Sequence, residues 1–167
     1  MRRFIRGLGA SALLGLLMVV AVRADEEKVP LDKVPKAVMK AVKERFPGAK
    51  LKAASTEKED GKVVYEVALE HKGQKMDVTL TPEGAIIEIE KTIAAKDLPE
   101  VVAKALEDKY PKAKYQVVEE VIKVKDKVEK LEYYEILLTT AGKKKFEVQV
   151  APDGKIVKEE SKDKKKD

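Results

Sequence analysis

Apolar residues recur at every fourth position in two places along the chain. Val34, Val38, Val42 and Phe46 form one stripe, and Leu98, Val102, Leu106 and Tyr110 form a second. Ala41, Val101 and Ala105 widen them, and a one-sided apolar face at this spacing predicts an amphipathic helix. Pro35 and Pro99 suit the first helical turn, where no backbone N–H is required. Asp97 and Glu100 are spaced as a capping box for the second helix, and Asp32 is the candidate cap of the first. Each stripe ends on an aromatic followed by proline, in RFPGAK (45–50) and KYPKAK (109–114). Proline removes a helical hydrogen bond and pushes the residue before it out of the α region. Both motifs therefore predict a helix stop that re-aims the chain into a strand.

After each stop the period changes to two. Val63, Tyr65, Val67 and Leu69 alternate with small or polar residues, as do Met76, Val78 and Leu80. Tyr134, Ile136 and Leu138, then Phe146, Val148 and Val150, repeat the pattern. Such alternation predicts half-buried antiparallel strands, near 49–57, 62–71, 74–81, 85–92, 114–124, 130–140, 144–151 and 155–159. In TPEGA (81–85) and APDGK (151–155), proline presets a bend and glycine supplies the positive φ that closes a three-residue hairpin.

The two halves align with each other. Residues 34–50 match 98–114, 65–69 match 134–138, and 76–86 match 146–156. The offset grows from 64 to 69 to 70, which places extra length in the second half near Val121–Lys130. The expected fold is α+β: two tandem repeats, 25–93 and 94–160, each one helix followed by a four-stranded antiparallel meander. A unit of about 60 residues is marginal alone, so the two are expected to pack together through adjoining sheet edges.

The chain ends change the reading of its charge. Arg2, Arg3 and Arg6 precede an apolar run from Leu8 to Val22, and VRA closes at Ala24. This is the pattern of a secretory signal over residues 1–24, with a run too short for a stable span of about 20 residues. The whole sequence carries a formal +5, but four of its 35 basic residues lie in that signal. Without them 31 basic residues face 30 acidic ones, so the high isoelectric point gives no reason to expect a nucleic-acid partner. The last residues, 161–167, read as a charged, solvated tail. The chain is expected to be periplasmic or secreted.

The helix ending in aromatic-Pro-x-Ala-Lys, the YEV strand at 65–67 and the hairpin closed by Asp-Gly at 153–154 resemble the PepSY-like group of exported bacterial domains. Their tandem arrangement is similar to the β-lactamase inhibitor protein fold, over about residues 31–160. The resemblance implies an exported binding or inhibitory module. The chain has no cysteine, whereas β-lactamase inhibitor proteins use internal disulfides.

Catalytic chemistry is sparse. No cysteine is present, the serines after the signal are Ser55 and Ser161, and the single histidine, His71, reads as a solvated residue before a turn. One His and no Cys cannot build a typical zinc site, no phosphate-binding loop follows a strand, and no cofactor is expected. An acid-pair enzyme would need a pocket where two carboxylates converge. Glu66 and Glu135 hold equivalent positions and face away from the helices, as a polar outer face requires. EKEDG (57–61) is a candidate weak calcium site without the regular oxygen spacing of an EF-hand.

The outer face of the second sheet is the candidate contact surface. Tyr133 and Leu137 point away from the helix side, Glu135 lies between them, and Tyr115 and Val117 are expected to share that face. A tyrosine-bearing apolar surface on an open sheet fits a partner site, flanked by the longer hairpin near Lys125–Glu129. The sequence reading is a non-enzymatic exported module that binds an envelope protein or peptide. A small-ligand or divalent-cation sensor using the acidic turns is the alternative.

Overall fold

The computed structural model describes residues 27–59 and 61–163. The signal reading at 1–24 and the last four residues of the tail lie outside them. Helix α1 spans Lys36–Arg45 and α2 spans Glu100–Lys109. The strands are β1 Glu27–Lys28, β2 Lys50–Glu59, β3 Lys62–His71, β4 Gln74–Leu80, β5 Ile86–Thr92, β6 Lys114–Lys125, β7 Val128–Thr139, β8 Lys145–Val150 and β9 Ile156–Ser161. All nine form one antiparallel sheet in sequence order. The described residues thus build a single sheet with two α-helices. β1, a two-residue edge strand on β2, has no hydrophobic alternation to announce it.

The helix stops behave as the prolines require. The Phe46 N–H donates to the Val42 carbonyl at 2.8 Å and that of Tyr110 to Leu106 at 2.7 Å, each closing the last helical turn. Ala49 and Ala113 N–H then donate back to the Phe46 and Tyr110 carbonyls, making tight turns. The residue after each proline takes positive φ, +79° at Gly48 and +61° at Lys112. A side chain in that region costs roughly 1–2 kcal/mol, offset in part by the backbone entropy glycine loses on folding. Lys112→Gly should therefore raise the unfolding free energy by about 0.5 kcal/mol in urea denaturation.

The aromatics of both motifs are core anchors. Phe46 meets the His71 ring edge-on at 5.8 Å, which makes His71 a half-buried packing partner instead of a solvated turn residue. Tyr110 packs on Phe146 at the same separation and donates its hydroxyl hydrogen to Glu159. The helix starts differ from expectation. Pro35 and Pro99 are themselves the N-caps, with no side-chain cap bond. Asp32 and Asp97 sit in short 3-10 turns before the helices.

Two hydrophobic clusters lie under the helices. Val38 and Val42 meet Val67, Leu69, Val78 and Leu80 in the first, and Val102 and Leu106 meet Ile136, Leu138, Val148 and Val150 in the second. Strand alternation puts both on one face of the sheet, so among the described residues the other face is free of helix. The halves interlock where β5 pairs with β6. Ile122 and Val124 of β6 pack on the first cluster, and Ile93, just after β5, packs on the second. The extra length of the second half thus extends β6 and β7 over the first core. Its tip turns through Asp126 and Lys127, both at positive φ, and Glu129 pairs with Arg45 at the end of α1 at 2.7 Å. This hairpin is folded onto its own chain, not reaching away from it.

The start of the expected tail is also held. Ser161 belongs to β9, the Lys162 N–H donates to the Lys145 carbonyl at 2.9 Å, and Asp163 accepts from the Lys145 N–H at 3.0 Å.

Candidate functional site

The helix-free face follows from strand alternation and register. Across the middle of the sheet, Asp77 of β4 lies beside Glu90 of β5, then Val121 of β6 and Tyr133 of β7. One row over, Thr92 lies beside Glu119, Glu135 and Gln149. On the other side, Glu66, Thr79, Glu88 and Lys123 form a third row. Glutamates and one aspartate from adjacent strands therefore converge on the junction between the halves. Carboxylate oxygens of Asp77, Glu90 and Glu119 all lie within 4.8 Å of one another.

Like charges at this range disfavour ionisation, and partial burial adds to the cost. Burial pushes the Glu90 carboxyl up to about 9, and Glu88, Glu135, Glu119 and Glu66 reinforce the shift. Burial also raises Glu119, opposed by the Thr92 hydroxyl that donates to it at 3.2 Å and aided by Asp77, Glu135 and Glu147. Glu135 is raised by burial too, against a hydrogen bond from the Gln149 amide at 2.9 Å. Burial and the same carboxylates hold the Tyr133 hydroxyl above its ordinary range. Of the cations on this face, Lys123 pairs with Glu88, Lys162 with Glu147 and Glu160 at 2.9 and 3.3 Å, and Lys75 stands at the edge of the cluster beside Asp77.

Val117, Tyr133, Glu135 and Leu137 lie on this face, all half-buried. Tyr115 does not. A bulge at Gln116 puts Tyr115 opposite Leu138 and Val117 opposite Leu137, so Tyr115 turns into the second core. An extra residue in one strand inverts the alternation on either side of it. Val64 and Val121 also sit on the helix-free face, yet are 4% and 0% exposed, packed among the surrounding side chains. A shallow recess of about 400 Å³ opens beside the cluster, lined by Lys75, Asp77, Thr92, Val117 and Glu119 among others. The carboxylates thus converge on an open sheet face, not in a closed pocket.

The acid cluster is absent from the sequence reading, which placed cation binding at 57–61. There, Glu57–Glu59 end β2, Gly61 takes positive φ in the turn, and Asp60 lies outside the described residues. Among the described residues, the acidic group whose ligand atoms lie close enough together to contact one metal ion is Asp77, Glu90 and Glu119. One signal pointed to it: Asp77 and Glu147 match across the repeat, as do Glu66 and Glu135.

A family model described as "Putative beta-lactamase-inhibitor-like, PepSY-like" matches residues 20–88 and again 82–158. The chain belongs to this PepSY-like family. Solved structures share the PepSY-like chain's fold at low identity. One, described among "putative periplasmic proteins" of Bacteroides eggerthii, is 16% identical with a TM-score of 0.63, over 77% of this chain and 88% of its own. A BLIP-like protein from Bacteroides fragilis is 17% identical with a TM-score of 0.59, over 83% of this chain and 92% of its own. No curated protein matches the sequence. Among the described residues of this PepSY-like protein, no helix is long and apolar enough to cross a membrane.

Proposed function

We propose that this PepSY-like protein is an exported, non-enzymatic binding module made of two tandem repeats, and that it recognises an envelope protein or peptide through its helix-free sheet face. One observation carries the reading. The face spans the junction of both halves and sets Val117, Tyr133 and Leu137 around half-buried carboxylates that lack the cover of a helix. Aromatic and apolar groups around a polar centre are the makings of a partner surface. Enzyme inhibition is one form such binding takes, in keeping with the family's description. Export rests on the basic start, the apolar run and the small residues at Ala24, and agrees with the periplasmic description of a structural neighbour.

Tyr133→Ser with Leu137→Ser should leave the fold intact, because both residues point away from the two cores. The double variant is expected to lose about tenfold or more in affinity for a partner captured from the envelope fraction. Unchanged capture by the variant would refute the assignment of this face.

A second reading, a divalent-cation sensor, is favoured by the 4.8 Å grouping of Asp77, Glu90 and Glu119. Calorimetry with calcium and magnesium chloride tests it, and the absence of heat at millimolar concentrations removes it.

A further inference from the structure

We infer that the group this face takes is an arginine side chain of a cationic polypeptide, with its guanidinium set against Glu90 and Glu119 and its methylenes along Val117 and Tyr133. The inference rests on the binding-module reading and names the chemistry of the partner.

Charge complementarity is the first ground. The charges acting most strongly on Glu90 all come from carboxylates, on β3, β5, β6 and β7. On the same face Lys123 pairs with Glu88 and Lys162 with Glu147 and Glu160, Lys158 acts on Glu135, and Lys75 lines the recess beside Asp77 and Glu119. An added cation at Glu90 and Glu119 relieves like-charge repulsion that the fold itself leaves in place. The coordination chemistry is the second ground. Calcium takes six to eight oxygens, commonly including backbone carbonyls. Here the backbone of β4, β5 and β6 is paired within the ladder between neighbouring strands. Carboxylates on a flat ladder supply too few oxygens for a closed cage, but suit a flat donor lying over them.

The surroundings are the third ground. Val117 lines the recess beside Glu119, and Tyr133 lies next to Val121 in the row of Glu90. A metal ion gains nothing from apolar neighbours, whereas the stem of a long cationic side chain buries against them. Arginine fits better than lysine because its planar fork carries five donors, reaches two carboxylates at once and stacks on a tyrosine ring.

Binding is coupled to protons. A cation at the cluster favours the ionised carboxylates, so at pH 7 it expels the proton held there. The groups facing Glu90 from neighbouring strands are Glu66 on β3, Lys75 and Asp77 on β4, Glu119 and Lys123 on β6, and Tyr133 and Glu135 on β7. Of these Lys75 and Lys123 are cationic; Lys123 pairs with Glu88, and Lys75 lines the recess beside Asp77.

The test uses the full chain without its signal and a capped nonapeptide bearing one central arginine. Its counterparts carry citrulline, which keeps the shape without the charge, or lysine. In nuclear magnetic resonance titrations the arginine peptide should shift amides of β4, β5 and β6 around Glu90 and Glu119 and saturate. Citrulline should give no saturable shift, and lysine should bind about threefold or more weakly. Glu90→Gln and Glu119→Gln should each weaken the arginine peptide about fivefold or more. Calorimetry at pH 7 in buffers of different ionisation heat should show proton release. Equal shifts from the citrulline peptide, or full binding by both glutamine variants, overturn the inference. So does calcium chloride displacing the arginine peptide at equal or lower concentration, an outcome that assigns the cluster to metal. The two readings fail separately. If the Tyr133→Ser, Leu137→Ser variant loses its partner but the glutamine variants keep it, the face binds and arginine is wrong. If all keep it, the face itself is wrong.

Discussion

Gly84→Ala and Gly154→Ala should each lower the unfolding free energy by about 3 kcal/mol, whereas Gly48→Ala should cost only about 1 kcal/mol. All three glycines have positive φ, +79° at Gly48, +88° at Gly84 and +87° at Gly154. The dihedral penalty is thus common to them, and the space around each differs. A Cβ on Gly48 would meet nothing within 4 Å. On Gly84 it would stand 2.6 Å from the Ala37 carbonyl oxygen, and on Gly154 it would stand 2.8 Å from Val101 Cγ2 and 2.9 Å from its carbonyl oxygen. Each Pro-x-Gly turn is pressed against the first turns of the helix in its own half. Relief would require that helix to lift from the sheet, opening the contacts of Val38 or Val102. The two sites lie in separate cores, so the double variant should lose nearly the sum. Urea denaturation of the parent and the four variants decides the matter, and equal costs at Gly48 and Gly84 would contradict the close approach.

The second large effect is electrostatic and depends on pH. The Glu90 carboxyl is raised from 4.5 to about 9 in the folded protein, chiefly by burial and then by its neighbouring carboxylates. Between those values the folded state holds a proton that the unfolded state has released. Stability therefore falls as pH rises through this window, and the effect is flat below pH 4.5 and above pH 9. Glu90→Gln keeps the neutral form at every pH. The variant should exceed the parent by at least about 2 kcal/mol at pH 9 and differ by under about 1 kcal/mol at pH 4. Glu119 and Glu135 are raised as well, so a shallower slope of the same sign should remain in the variant. A parent protein whose stability rises between pH 5 and pH 9 would rule out this arrangement of charge.

Much of the architecture is written locally. The stripes that end in Phe46-Pro47 and Tyr110-Pro111 encode helix, stop and turn within a few residues, and strands β2 to β9 lie within a few residues of the positions that alternation gives. What local pattern cannot carry is register. Tyr115 and Val117 are two apart and would share a face in a regular strand, but the bulge at Gln116 separates them. The helix starts show a related limit: proline takes the cap position, and Asp32 and Asp97 lie in the 3-10 turns ahead of it. The acid cluster shows the same limit more sharply. Each of Asp77, Glu90 and Glu119 reads alone as an ordinary outward polar residue. Only the pairing of β4 with β5, and of β5 with β6 across the junction, brings their carboxylates within 4.8 Å. Single acids on outward positions are solvated faces, whereas the same acids crowded on adjacent strands hold a proton and invite a cation.

The most direct measurement is a carbon-13 titration of the glutamate carboxyls, assigned with Glu90→Gln. The gathered carboxylates predict that the Glu90 signal stays protonated at neutral pH and moves with a midpoint near 9. A midpoint near 4.5 would mean that the helix-free face holds no crowded acid at all.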